Sequence, residues 1–175
     1  TSNPVNAGMP GSYMVTYNVS DSASNAAAQL TRTVDVVDTV IPVITRLGNA
    51  TVAVECGSIY TDAGATAIDT CDGDLTASIT TVNPVNAGVE GSYLVTYDVL
   101  DSASNAAVQV TRTVNVIDTH PPVITALGAN PAVVNLNDAY TDAGATAIDT
   151  CEGDLTASIV AVNSVNTSIV GSYTV

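Results

Sequence analysis

The chain has 175 residues and a formal net charge of −14, with 17 acids against three basic residues, all arginine, and neither Phe nor Trp. Such a surface repels nucleic acid and anionic membranes, stays soluble and attracts cations, while an apolar content of 46% is too high for a disordered acidic chain. The absence of lysine excludes Lys–Asn and Lys–Asp isopeptide cross-links, and no apolar run approaches the ~18 residues that would span a bilayer.

From the N-terminus, residues 1–38 match 81–118 at most positions, with Gly11-Ser12-Tyr13 returning as Gly91-Ser92-Tyr93 and Gly171-Ser172-Tyr173. The longest repeated stretch, Tyr60–Ile79, returns as Tyr140–Ile159 with Asp72 replaced by Glu152. The offset is the same in every case, without insertion or deletion, which marks one structural unit used repeatedly. The expected domains are therefore 1–38, the C-terminal part of a repeat; 39–118, a complete repeat; and 119–175, the N-terminal part of another. The end pieces cannot each close a core. Either the chain is a window of a longer array, with no initiator Met or leader to be expected in it, or neighbouring chains complete the broken repeats.

The apolar pattern has a period of two. Strands are expected near 42–46, 50–56, 64–69 and 76–82, then along Ser92–Leu100 and Ala106–Asp118. Tyr93, Val95, Tyr97 and Val99 share one face of their strand, as do Val108, Val110, Val114 and Val116 of theirs. The last two strands read as a hairpin across Asp101–Asn105 (DSASN); whether 42–46 and 50–56 form one bent strand or a hairpin stays open. The fold class is all-β, with tandem β-sandwich repeats of about 80 residues. A core without Phe or Trp would gain from a staple, either disulfide or metal. Arg112 interrupts the valine face of its strand and is expected at the rim, its stem packed and its head on a carboxylate. Asp38–Pro42 (DTVIP) and Asp118–Pro122 (DTHPP) are the repeat boundaries, where proline ends a ladder and stiffens a short link.

The runs YTDAGATAIDTCDGDLT (60–76), GSYLVTYDVLDSASN (91–105) and TRTVNVIDTHPPVIT (111–125) resemble the bacterial immunoglobulin-like repeats of large surface proteins, in the style of hyalin-type and cadherin-like repeats. The resemblance covers the whole chain. It implies immunoglobulin-like (Ig-like) sandwiches in the stalk of a secreted adhesin or surface fibre, in a family whose modules often bind calcium at their junctions. Ser104 departs from it, because the family usually has Gly in this D-x-A-G-N turn.

Cys56 and Cys71 lie in one repeat and read as a disulfide, the alternative being two buried thiols. Cys151 corresponds to Cys71, but Leu136 stands where Cys56 would recur, so Cys151 is expected to be a free thiol or to bond another chain. The acidic loops offer the oxygen ligands that calcium prefers. If loops 69–74 and 101–105 share a pole with the preceding link, Asp38, Asp69, Asp74, Asp101 and Asn105 would surround an ion, with Asp118, Asp149 and Asp154 as counterparts at the next junction. Ordinary Asp-Gly and Asx turns explain the same residues without metal. Catalysis is not expected: the only histidine, His120, lies in a link and is Val40 in the other link. Asn18, Asn49 and Asn166 begin glycosylation sequons of a short, chance-prone type.

The expected function is a segment of an extracellular bacterial stalk, adhesin or fibre rigidified by calcium, with neighbouring repeats or copies of itself as partners, and a surface ligand or glycan besides. Two alternatives stand beside it: a self-assembling filament subunit, and a carbohydrate-binding accessory module of a secreted enzyme. Nucleic acid and membrane insertion are not expected.

Overall fold

The computed structural model describes residues 2–175. Twelve strands carry the fold: β1 (Gly11–Tyr17), β2 (Leu30–Val36), β3 (Val43–Arg46), β4 (Thr51–Glu55), β5 (Ala65–Asp69), β6 (Gly73–Asp74), β7 (Thr80–Val82), β8 (Gly91–Asp98), β9 (Val110–Ile117), β10 (Val123–Ala126), β11 (Ala145–Asp149) and β12 (Gly153–Asp154). Single 3-10 turns at Thr76–Ser78 and Thr156–Ser158 are the only helical elements among the described residues. The sheets are β1-β2, β3-β5-β6, β4-β9-β8-β7 and β10-β11-β12. This is the all-β sandwich expected from the period-two pattern, of the Ig-like kind that the resemblance implies.

The stretches 42–46 and 50–56 form neither one bent strand nor a hairpin. β3 pairs with β5, from Val43↔Ile68 to Arg46↔Ala65, whereas β4 lies beside β9 in another sheet. Thr113 N donates to Ala50 O at 2.9 Å and Cys56 N to Ile117 O at 2.8 Å, so both partners advance together and β4 runs parallel to β9. The crossing between sheets is made at Gly48, whose φ of +71° suits a residue without Cβ.

The chain divides into two compact units, and β4, β8 and β9 contribute to both. One unit holds the residues up to Val52 with Thr61–Val85 and Leu94–Thr113; the other holds Ala53–Tyr60, Asn86–Tyr93 and Val114–Val175. In the first, β1 and β2 form an antiparallel pair from Gly11↔Val36 to Tyr17↔Leu30, and β7 pairs with β8 from Thr80↔Asp98 to Val82↔Thr96. Its buried apolar residues include Ile44, Ala67, Val95, Tyr97 and Val99, the last three in the alternation expected for β8. In the second unit β10 pairs with β11 from Val123↔Ile148 to Ala126↔Ala145, repeating the β3–β5 register one period later. Val54, Cys56, Val114, Val116 and Ala147 are buried there. Ile124 is 64% exposed, whereas its counterpart Ile44 in the complete repeat is 8% exposed.

Arg112 is a correction. It is only 2% exposed, not a rim residue, although its head does reach a carboxylate. Nη1 meets Asp62 Oδ1 at 2.6 Å, Nη2 donates to the Leu47 carbonyl, and the guanidinium lies 6.0 Å from the Tyr97 ring centre. The Tyr97 hydroxyl donates to Asp62, with Oδ2 at 2.7 Å. A guanidinium can be buried when carboxylate, carbonyl and ring replace water on several sides. Truncation leaves the largely buried Asp62 charge without its cation. Arg112→Ala is therefore expected to lower unfolding stability by about 3–5 kcal/mol in urea titrations, and Arg112→Lys to recover only part, lacking the planar fork.

Candidate functional site

The acidic loops are built by aspartates that chelate their own backbones. In the turn between β8 and β9, Asp101 Oδ1 accepts the Asn105 N–H at 2.7 Å and Oδ2 the Asn105 side-chain amide at 2.7 Å. Ser104 sits there at φ +69°, a conformation that glycine adopts more readily than serine. Asp21 holds Asn25 in the same way, and the Asn25 side-chain amide is the main reason its carboxyl lies below the usual range. Between β5 and β6, Asp69 Oδ1 accepts the N–H groups of Cys71 at 2.7 Å and Asp72 at 3.0 Å. The Asp72 bond contributes most to holding the Asp69 carboxyl low, against partial desolvation.

Asp72 joins the two loops: its Oδ2 accepts the Ser102 N–H at 2.6 Å and its Oδ1 the Ser102 hydroxyl at 2.9 Å. The link at the start of the repeat joins them too. Asn105 Nδ2 donates to the Asp38 carbonyl at 3.3 Å, while Asp38 Oδ1 accepts the Val40 N–H at 3.0 Å. One potential ligand atom each from Asp38, Asp69 and Cys71 lies within 4.8 Å of the others. Asp38 Oδ2 and Asp69 Oδ2 are buried without a hydrogen-bond partner, on residues 9% and 4% exposed. Four of the five sequence candidates, Asp38, Asp69, Asp101 and Asn105, thus meet at one pole. Asp74 does not join them; its Oδ1 accepts the Thr76 N–H at 2.9 Å, as Asp154 Oδ1 does that of Thr156. Asp72 and Cys71 belong to the site and were not read from the sequence as part of it.

The next junction is organised differently. Asp118 Oδ1 accepts the His120 N–H at 3.0 Å, and Asp149 Oδ1 holds the Cys151 and Glu152 N–H groups. The carboxylate that gathers this junction is Glu55, at the end of β4. It accepts the Thr119 N–H and hydroxyl, both at 2.9 Å, and meets His120 Nδ1 at 2.8 Å. Glu55, Asp118 and His120 form the second cluster of possible ligands among the described residues.

The cysteines pair otherwise than expected. Cys56 is bonded to Cys151, 95 residues away and with Cα atoms 5.4 Å apart, while Cys71 is free and exposed. Two expectations fall together, the Cys56–Cys71 bridge and the unbonded Cys151. The cause is the direction of β4: running parallel to β9, it carries Cys56 to Ile117 at the end of the repeat, whereas Cys71 sits with Asp38 at the start. The bond therefore crosses the repeat boundary. Gly57 follows at φ +78°, and a Cβ there would lie 2.5 Å from Thr150 Cγ2, so the segment after Cys56 needs glycine to lie against the receiving turn. The Cys71 thiol is pushed above its usual value by desolvation first and by the Asp38 carboxylate next.

Tyrosines do not form an exposed platform in the complete repeat: Tyr97 is buried and Tyr93 donates its hydroxyl to Val89 O at 2.9 Å.

The family described as bacterial surface protein, Ig-like domain, matches residues 1–36, 44–116 and 124–175. No curated protein matches the chain. Among solved structures, a lipoprotein from Bacteroides thetaiotaomicron is similar at 22% identity and TM-score 0.42, over 65% of this chain and 58% of that one. A Clostridium perfringens ZmpB structure, with the CBM51-2 module in complex with GlcNAc and INT domains, is similar at 23% identity and TM-score 0.36, over 50% and 20% of the two chains. A second ZmpB structure, holding the M60 catalytic domain with both CBM51 modules, gives 19% identity and TM-score 0.36 over 80% and 18%.

The Glu55–His120 contact carries a pH signature. Glu55 is held low by the Thr119 N–H first and then by His120, and His120 is raised by its hydrogen bond to Glu55 and then by that charge. Its stabilisation is complete below the unfolded histidine value of about 6.5 and is lost as pH rises through the raised value. On the acid side it is lost as pH falls through the lowered Glu55 value. His120→Val, which copies Val40, is expected to lower the melting temperature at pH 6, and the difference should shrink as pH rises through the raised His120 value. The difference in melting temperature between the two proteins across pH measures this directly.

Proposed function

The chain belongs to the bacterial surface Ig-like domain family, and we propose that it serves as a non-catalytic spacer, a segment of an extracellular stalk, adhesin or fibre in which Ig-like repeats are stacked in series. The observation that carries this reading is the Cys56–Cys151 bond, which ties the repeat 39–118 to residues of the following one. A covalent tie across a boundary joined by only a short proline-containing link restricts bending there. Its loop-closure contribution, for a sequence separation of 95, is roughly 4–5 kcal/mol. Disulfides persist in oxidising compartments, which agrees with a surface location.

Calcium is the second rigidifying element in this reading. Two buried carboxylates with unpartnered oxygens are costly side by side unless a cation or a proton neutralises them. Asp38 Oδ2 and Asp69 Oδ2 are hard oxygen donors on a chain of net charge −14, a set that fits a hard divalent cation. Asp101 and Asn105 are engaged with one another and hold the loop, so Asp38 and Asp69 would be the direct ligands. The Cys71 sulfur is too soft to serve calcium. Solvent would supply the remaining positions.

Calcium is expected to raise the melting temperature of the oxidised chain, by about 2–3 kcal/mol of stability at a hundred-fold excess over its dissociation constant. Asp69→Asn should abolish that shift, and EGTA should reverse it in the parent chain. Titration calorimetry without heat, together with an unchanged melting temperature, would leave the acids as a solvating surface. The spacer role would then rest on the disulfide alone. Small-angle scattering with and without dithiothreitol tests that part separately: reduction should broaden the distribution of end-to-end lengths.

A further inference from the structure

Cys71 and Cys151 occupy the same turn, one repeat period apart. Asp69 Oδ1 holds the N–H groups of residues 71 and 72 at 2.7 and 3.0 Å; Asp149 Oδ1 holds those of 151 and 152 at 2.7 and 2.9 Å. Below each turn a threonine hydroxyl, Thr76 or Thr156, accepts the N–H of Ala67 or Ala147 at 3.1 Å. The two turns nevertheless differ in chemistry: Cys151 is bonded and Cys71 is free.

What fills the Cys151 turn is the end of β4. Glu55 takes the Thr119 N–H and hydroxyl, Cys56 supplies the sulfur, and Gly57 lies against Thr150. Each receiving residue has a counterpart beside Cys71, with Thr39 for Thr119 and Thr70 for Thr150. Of the residues that contact the glutamate only His120 is replaced, by Val40, which removes one contact and leaves the two from threonine, while Val37 stands for Ile117, whose part is played by its backbone carbonyl.

We propose that Cys71 is the receiving half of a second boundary disulfide, whose donor is a Glu-Cys-Gly segment ending β4 of a preceding repeat. The inference rests on the serial stacking proposed above. Bond formation removes the two thiol hydrogens as protons and passes two electrons to a small disulfide oxidant, which is reduced to two thiols. Leu136 stands at the Cys56 position of the last repeat, so the donor is a repeat of the 39–118 kind and not one of the 119–175 kind. A preceding repeat of the same polypeptide and one on another copy offer the same sulfur chemistry.

The test compares the original chain with the same chain preceded by an added copy of residues 39–80, which is in phase because residue 1 corresponds to residue 81. The added copy carries Ser at its own Cys71 position, so that it contributes a single cysteine. After oxidation with oxidised glutathione, iodoacetamide is expected to label one thiol in the original chain and none in the extended one. The Cys71 peptide, distinguished from the Cys151 peptide by Asp72 against Glu152, should be recovered cross-linked to the added cysteine. Monomer mass identifies a donor in the same polypeptide, and dimer mass a donor on another copy. Leu in place of the added cysteine should restore one labelled thiol. Full labelling of Cys71 in the extended chain, or its recovery as a glutathione adduct, would overturn the proposal while an intact Cys56–Cys151 bond in the same digest leaves stacking in place. Loss of both bonds would sink stacking as well.

Discussion

The buried guanidinium of Arg112 is the constraint on which the rest of the complete repeat depends. It binds Asp62 and the Leu47 carbonyl from the face of β9, and Leu47 lies beside the Gly48 crossing where the chain leaves one sheet for the other. Fixing that carbonyl on β9 sets the place where β4 begins, with Ala50 opposite Thr113. β4 then follows β9 in parallel, and its end falls beside Ile117. Glu55 and Cys56 reach the boundary along the course that begins at this crossing. A repeat without Phe or Trp thus takes part of its order from a polar cluster whose geometry is more demanding than aliphatic packing.

The sandwich was legible because period-two alternation is a local property, and Val95, Tyr97 and Val99 are buried as their spacing implies. The grouping of Asp38, Asp69, Asp101 and Asn105 was legible only on the condition that the two loops share a pole with the preceding link, which alternation along the strands does not decide. Contacts between residues far apart in sequence were not. Arg112 meets a carboxylate 50 residues earlier, and His120 one 65 residues earlier; the break in the valine face pointed to a carboxylate for Arg112 but not to which one, and nothing announced the partner of His120. Cys56 and Cys71 looked like partners because they are near in sequence, whereas sheet direction decides where a cysteine arrives. One sequence signal did bear on the correct pairing. Leu136 in place of a cysteine leaves the last repeat a receiving position without a donor position.

The two ends of the complete repeat use related residues for different purposes. At its start, Asp38 and Asp69 keep two unpartnered oxygens beside a thiol whose ionisation they oppose. At its close, a glutamate, two hydrogen-bonding residues of the link and a disulfide hold the neighbouring turn. Two substitutions, Val40 against His120 and Ile41 against Pro121, distinguish the links, and the first gives one of them a titratable partner for its glutamate.

The position of the disulfide also determines how the chain carries load. Tension applied to its two termini enters through the residues before Cys56, passes through the sulfur bridge and leaves after Cys151. Gly57 to Thr150 lie in a loop outside that covalent path, which cannot be drawn out while the bond holds. Reduction would put that loop in series and release slack on the order of 300 Å at about 3.3–3.6 Å per extended residue. A chain built this way extends less when oxidised than when reduced. Its extensibility is thus set by the redox potential of the surroundings as well as by the strength of its sheets.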